Sequence, residues 1–278
     1  MRVLRPDLGT VAIDPYRASL VLDSSNPGML RAIATARQVA SVEMPVLLTG
    51  ETGTGKSILA ATIHGWSRRM AGPFVTVSCR APERAGRESN DRRQDVMTVP
   101  HDDDRWPPSV PSGTLFLDDV GMLPKGAQAR LVRFFEEARS ADTGVSQPAA
   151  ASTRVIAATS HDLELDVQQG QFRHDLFFRL NVFTIHLPPL RDRREDILHL
   201  TERIIADLCI HHHRQPARLS PEARDVLLAY DWAGNLRELA TVLERAIVLA
   251  GTKTIKLTDL PERLLLPGRQ APHARSQS

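Results

Sequence analysis

Cysteine is nearly absent. The 278-residue chain has two, Cys79 and Cys209, far apart in sequence and in no metal-type spacing. No apolar stretch follows the basic residues of its opening MRVLRPDLG, so no signal peptide is expected. No apolar run is long enough to cross a bilayer. A cytoplasmic location with reduced thiols, and no membrane partner, is the expectation. Charge of one sign is also lacking. A net charge of +2 is too weak for composition to argue for a nucleic-acid-binding surface. The 42% hydrophobic and 24% charged fractions are those of a soluble globular protein, long enough for one large domain or two smaller ones.

What the chain does have is Val46–Ser57, VLLTGETGTGKS. Val46-Leu47-Leu48 reads as a buried strand. Gly50-Glu51-Thr52-Gly53-Thr54-Gly55-Lys56-Ser57 follows and satisfies the phosphate-loop pattern G-x-x-x-x-G-K-[ST]. Ile58–His64 then has helical composition, so strand, glycine-rich turn and helix come in the required order. The glycines let backbone N–H groups curl around an anion, and the helix N-terminus adds unpaired N–H groups and its positive dipole end. Lys56 is placed to reach the outer phosphates of ATP, and the Ser57 hydroxyl to ligate Mg2+.

Residues 1–25 carry no clear periodicity and read as a tail or arm. Asn26-Pro27 opens a helix with Met29, Ile33 and Ala36 on one face. Phe74–Ser78 is a β-branched strand. Residues 80–112 are polar, charged and proline-bearing, and predict a long mobile insertion between two strands. Within it, His101-Asp102-Asp103-Asp104 reads as a solvated acidic loop rather than a metal site. Thr114–Asp119 is a strand ending in two carboxylates. Gln128–Ala138 is helical, Ala141–Thr153 a loop, Arg154–Thr159 a buried strand, Phe172–Leu180 a short helix, and Val182–His186 the last strand. Only helices are expected beyond it. Ile197, Leu200, Ile204 and Leu208 recur at helical spacing, Ser220 caps a helix with Pro221 in its first turn, and Asn235 with Glu238 forms a capping-box-like pair. His211–His213 is a solvated helix end, and the closing GRQAPHARSQS a disordered tail. Strands alternating with helices up to about residue 190, then helices alone, predict an α/β nucleotide-binding domain with a helical lid. The expected boundaries are a tail at 1–25, the α/β domain at 26–190, the lid at 191–265 and a tail at 266–278.

Leu115-Phe116-Leu117-Asp118-Asp119 fits a Walker B strand, with Asp118 holding Mg2+ through water and Asp119 polarising the attacking water. Taken with GETGTGKS, IHGWSRR (63–69), PFVTVSC (73–79), RVIAAT (154–159), FRHDLFFRLNV (172–182), LPPLRDRREDI (187–197) and WAGNLREL (232–239), it makes the chain resemble a known family. That family is the AAA+ domain of the sigma-54-dependent transcription activators, the bacterial enhancer-binding proteins. The resemblance runs from about Asn26 to Leu265. It implies an AAA+ P-loop core with a parallel sheet and a C-terminal helical lid. It also implies a first sensor at Thr159-Ser160, arginine fingers at Arg173 and Arg179 that reach a neighbouring subunit's nucleotide, and a lid arginine at Arg237. By the same resemblance the partners are further copies in a ring, a hexamer, and sigma-54 RNA polymerase.

The chain departs from that family at named places. The family's GAFTGA run, which contacts the sigma factor, is absent from residues 80–112. Asp119 stands where glutamate is usual, Ser160 where the sensor has asparagine, and Ser78 where an asparagine pairs with that glutamate. No helix-turn-helix is read after Leu265, so no DNA-binding domain of its own is expected. Two readings follow. One is a transcription-regulating ATPase, working slowly at subunit interfaces. The other is a non-motor subunit that binds ATP and modulates a full-length relative in a mixed ring.

Overall fold

Strands covered on both faces need no polar side, so continuous apolar runs become the centre of a parallel sheet. The structure, a computed structural model, describes residues 15–80, 97–99, 106–140, 153–250 and 254–265. Its main sheet has six strands: β1 (Val46–Thr49), β2 (Phe74–Ser78), β3 (Met97–Thr98), β4 (Thr114–Asp118), β5 (Arg154–Thr159) and β6 (Phe183–His186). Their order is β3-β2-β4-β5-β1-β6, and every pairing is parallel. Every residue of β5 is buried, as are Leu115, Phe116 and Leu117 of β4. The register sets Thr49 beside Thr159, and Ser78 beside Asp118. The carboxyl ends of β1, β4 and β5 therefore share one edge, the edge at which open parallel sheets bind ligands.

The described residues form two compact units. The first holds Arg31–Gly50 and Lys56–Leu187, and the second holds Leu22–Leu30, Glu51–Gly55 and the chain from Pro188 onward. Helices α1 (Pro15–Leu22) and α2 (Pro27–Ala40) open the described chain. Helices α3 (Lys56–Gly65), α4 (Lys125–Ser140), α5 (Leu163–Gln168) and α6 (His174–Leu180) belong to the first unit. Arg154, at the start of β5, is 1% exposed. Its Nη1 and Nη2 donate to the carbonyls of Ala40 and Val39 at 3.0 and 2.7 Å. These carbonyls sit at the negative end of α2, where a buried guanidinium is favoured, and the Val39 carbonyl also accepts from the Val42 amide at 3.1 Å.

The second unit contains α7 (Arg194–His211), α8 (Pro221–Ala229), α9 (Asn235–Ala250), α10 (Glu262–Leu265) and a parallel pair, β7 (Arg218–Leu219) with β8 (Thr254–Ile255). Ile197, Leu200 and Ile204 of α7 are buried with Leu236, Leu239, Leu243 and Ile247 of α9, as their spacing predicts. The Ser220 hydroxyl accepts from the Ala223 amide, the expected cap. Residues 23–26 are tied to the start of α7. The Ser25 amide donates to Asp196 at 2.9 Å, and the Asn26 side chain donates to Glu195 at 2.8 Å while accepting from the Gly28 and Met29 amides.

Four expectations need correction. The stretch expected as a tail, 1–25, contains α1, and its first fourteen residues lie outside the described ones. Residues 80–112 are not simply an insertion. Met97–Thr98 pairs with β2, and Val99, Trp106 and Val110 are buried in the core of the first unit. His101–Asp104, most of 141–153 and 266–278 lie outside the described residues. The region after residue 190 contains strands as well as helices, since β7 and β8 are two-residue strands too short to show a period. Asn235 and Glu238 do not form a capping box. Glu238 accepts from the Gly234 amide at 2.9 Å, and Asn235, at a left-handed φ of 53°, turns its side chain elsewhere.

Candidate nucleotide site

The loop between β1 and α3 is bent by its glycines. Gly50, Gly53 and Gly55 have φ of 143°, 82° and 107°. Gly53 is constrained twice, because a Cβ there would lie 2.2 Å from the Gly234 carbonyl oxygen. Five successive carbonyls of the loop accept from protein donors. Lys56 Nζ donates to Gly50 O at 2.6 Å, and Thr54 Oγ1 to Glu51 O at 2.9 Å. Within the second unit, Asn235 Nδ2 donates to Thr52 O at 3.0 Å, the Leu236 amide to Gly53 O at 3.0 Å, and Arg193 Nη2 to Thr54 O at 3.2 Å. A loop whose carbonyls are so engaged can present amides to an anion. Lys56 is buried at the start of the ten-residue α3, and Ser57 beside it is exposed.

Glu51 carries its charge within this loop, and its carboxylate is held by side chains from the Pro188 onward segment. Arg191 donates from Nη1 at 2.8 Å and Nη2 at 2.5 Å, one nitrogen to each oxygen, and Asn235 Nδ2 donates at 3.2 Å. The Glu51 hydrogen bonds raise the Arg191 guanidinium above its ordinary value. Arg237, on the exposed face of α9, has its Cβ 3.3 Å from where a Gly53 Cβ would stand.

Asp118 ends β4 half-buried, and Asp119 follows it at a left-handed φ of 64°. The Asp119 carboxylate is 5% exposed. Arg80 donates to its Oδ2 from Nε at 3.0 Å, and Arg80 Nη2 forms an ion pair with the same oxygen at 2.8 Å. Ser160 donates to its Oδ1 from the amide at 3.1 Å and the hydroxyl at 3.0 Å. Burial pushes this carboxyl up, but the Ser160 amide and the Arg80 charge outweigh burial and hold it below the ordinary aspartate value. Thr159 is buried, and its hydroxyl accepts from the His161 amide at 3.0 Å. Arg173 and Arg179 lie at the two ends of α6. Arg173 is exposed and forks onto Asp175 at 3.0 and 2.7 Å, and Arg179 pairs with Glu136 at 2.9 Å.

The structure thus brings Ser160 onto Asp119, and draws Asn235 and Arg237 to the loop that carries Gly53. It places Arg173 and Arg179 in ion pairs of their own chain. Four residues with contacts here were not foreseen: Arg80, Arg191, Arg193 and Asn235. Arg80, not Ser78, holds Asp119. Arg191 and Arg193 stand in LPPLRDRREDI, which was their only signal, and Asn235 stands in WAGNLREL and read as a helix cap.

Comparison with known proteins agrees with this geometry. A family described as the Sigma-54 interaction domain matches residues 22–89 and 109–186, and an AAA+ ATPase lid domain matches 191–277. The alginate biosynthesis transcriptional regulatory protein AlgB of Pseudomonas putida is 40% identical over 242 residues, 86% of this chain and 54% of that protein. The regulatory protein AtoC of Escherichia coli is 36% identical over 257 residues, 88% of this chain and 54% of its own. The chain spans about half the length of these curated relatives. The crystal structure of NtrX from Brucella abortus in complex with ADP superposes with a TM-score of 0.71 at 29% identity, over 89% of this chain and 57% of that one. Its fold, its parallel sheet ending in the glycine loop, and these matches agree: the chain belongs to the Sigma-54 interaction domain family of transcriptional regulators, an AAA+ α/β domain with a helical lid.

Proposed function

We propose that this chain binds ATP with Mg2+ on the loop 50–57 and hydrolyses it slowly, at sites completed by a neighbouring copy in a ring, in the service of transcription control. The observation that carries the reading is the loop itself: five engaged carbonyls, three glycines at positive φ and a buried lysine at a helix start. NtrX of Brucella abortus, whose fold it shares, was crystallised with ADP and with ATP.

Gly50, Glu51, Thr52, Gly53, Thr54, Gly55 and Lys56 would cradle the phosphates. Ser57 and Asp118 would hold Mg2+, which supplies positive charge to the phosphoryl oxygens. Mg2+ keeps several waters and asks for few protein oxygens, which one hydroxyl and one carboxylate can supply. Asp119 orients the water, Thr159-Ser160 sense the γ-phosphate end, and Arg237 contacts the nucleotide from α9. Arg173 and Arg179, exposed and half-buried on α6, fit donors to the next subunit's nucleotide. The test is specific activity against protein concentration. Activity should rise as subunits assemble, and Arg173→Ala should lower turnover with ATP affinity unchanged. A flat rate from a strict monomer refutes the shared site.

One observation favours a second reading, the ATP-binding regulatory subunit of a mixed ring. Asp119 accepts from Arg80 Nε, the Ser160 amide and the Ser160 hydroxyl shared between both its oxygens, so the group assigned to water is already engaged. Transcription by purified sigma-54 polymerase, with and without a full-length relative, separates the two readings. The first requires output from this chain alone, and the second only a change in the relative's output.

A further inference from the structure

An anion-binding loop that carries a carboxylate at its second position has an electrostatic problem, and Glu51 is that carboxylate. Two side chains answer it. Arg191 meets Glu51 with a two-pronged fork at 2.8 and 2.5 Å. Asn235, fully buried, donates from Nδ2 to both Glu51 and the Thr52 carbonyl, while its Oδ1 accepts from the Leu190 amide at 2.7 Å. The same turn gives the Leu236 amide to Gly53 O and packs Gly234 O against Gly53. Glu51 and Asn235 are 184 positions apart, and Glu51 and Arg191 140, so neither contact is a local turn effect.

We propose that Arg191 and Asn235 are positioning residues for the phosphate loop, which draw the Glu51 carboxylate aside and offset its charge so that the loop accepts a polyphosphate. The inference rests on the nucleotide-binding reading above. Asn235 supplies geometry, because its amide is the donor that orients the Thr52 carbonyl. Arg191 supplies charge. Without it the Glu51 carboxylate opposes the ligand, and opposes ATP more than ADP because ATP carries more negative charge. Both groups of the Arg191–Glu51 pair are 39% exposed, so the charge effect is salt-screened and modest.

The test measures binding of Mg-ATP and Mg-ADP calorimetrically to the natural chain and to Asn235→Asp, Arg191→Ala, Glu51→Gln, Asn235→Asp with Glu51→Gln, and Lys56→Ala, each with a melting curve. Asn235→Asp keeps the acceptor for Leu190 and removes the donor. It should weaken ATP about tenfold, the cost of one buried unmet hydrogen bond. Adding Glu51→Gln should recover the part of the loss caused by the new carboxylate facing Glu51, and leave the part caused by the Thr52 carbonyl without its donor. Arg191→Ala should weaken ATP about threefold at low salt and ADP less, with the difference fading at high salt. Glu51→Gln alone is the reference against which the double variant is read. Arg191→Ala changes an exposed side chain, so it reports even if Asn235→Asp fails to fold. If Asn235→Asp binds as the natural chain, or if Glu51→Gln recovers the whole of its loss, the positioning role of Asn235 on the Thr52 carbonyl is wrong. Equal loss of ATP and ADP at every salt concentration in Arg191→Ala overturns the charge role. If the natural chain and Lys56→Ala bind nucleotide equally poorly, the loop reading itself falls. If only Lys56→Ala loses binding and the other variants do not, the present proposal falls alone.

Discussion

Removing Arg80 tests what holds Asp119. Arg80 gives Asp119 Oδ2 a hydrogen bond from Nε at 3.0 Å and an ion-pair contact from Nη2 at 2.8 Å. A hydrogen bond to a charged partner contributes about 1.5–3 kcal/mol. The Arg80 side chain is 40% exposed, and that exposure reduces the pair to about 1 kcal/mol. A carboxylate has about four acceptor positions, and Arg80 Nε, the Ser160 amide and the Ser160 hydroxyl, shared between both oxygens, occupy them. For Asp119 to accept from water, one donor must leave. If that donor is Arg80, about 1 kcal/mol stands in the barrier, and Arg80→Ala should raise turnover about fivefold. ATP affinity should not change. The same variant should lose about 1 kcal/mol of stability near neutrality, and the loss should depend on pH. Asp119 is held below its ordinary value of 3.8, so its contribution is complete above that value and disappears as pH falls through the folded value. The stability gap between the natural chain and Arg80→Ala should therefore close below about pH 4. Phosphate release at saturating ATP and melting curves across pH supply the data. Turnover that falls while the melting difference is present would refute the reasoning and make Arg80 a group that helps the water.

Three other variants have defined outcomes. Gly53→Ala places a Cβ 2.2 Å from Gly234 O at a φ of 82°, so calorimetry should show ATP affinity lost about tenfold or more. Asp119→Glu adds the methylene that the aspartate lacks and should raise single-turnover hydrolysis. Unchanged hydrolysis would show that Asp119 already reaches the water. Arg154→Ala removes the Arg154 donor of the buried Ala40 carbonyl and one of two donors of the Val39 carbonyl, and should cost about 2 kcal/mol in denaturant unfolding.

How far the sequence could be read depended on how local each cause was. β1, β4 and β5 were legible because strands buried on both faces have no polar alternation to blur them. The bend of the loop 50–57 and its place between β1 and α3 were legible because the glycine spacing that sets them lies within eight residues. α1 was missed because PYRASLVL is short and follows residues with no period. β3 was missed because two residues have no pattern, and only pairing with Val77 and Ser78 defines them. Asn235 looked like a cap because its neighbour Glu238 has cap spacing. Its left-handed φ sends the amide to Thr52 instead, an outcome set by packing around Gly53. Arg80 was invisible for the same reason, since its partner is 39 positions away at the end of another strand.

The central claim is that the loop 50–57 binds ATP through Lys56. Calorimetric titration of the natural chain and of Lys56→Ala with Mg-ATP tests it most directly. The account predicts saturable binding to the natural chain and a loss of about a hundredfold or more in the variant, as expected for a charge removed from a phosphate contact. Equal affinities in the two proteins, or no binding to the natural chain, would contradict it.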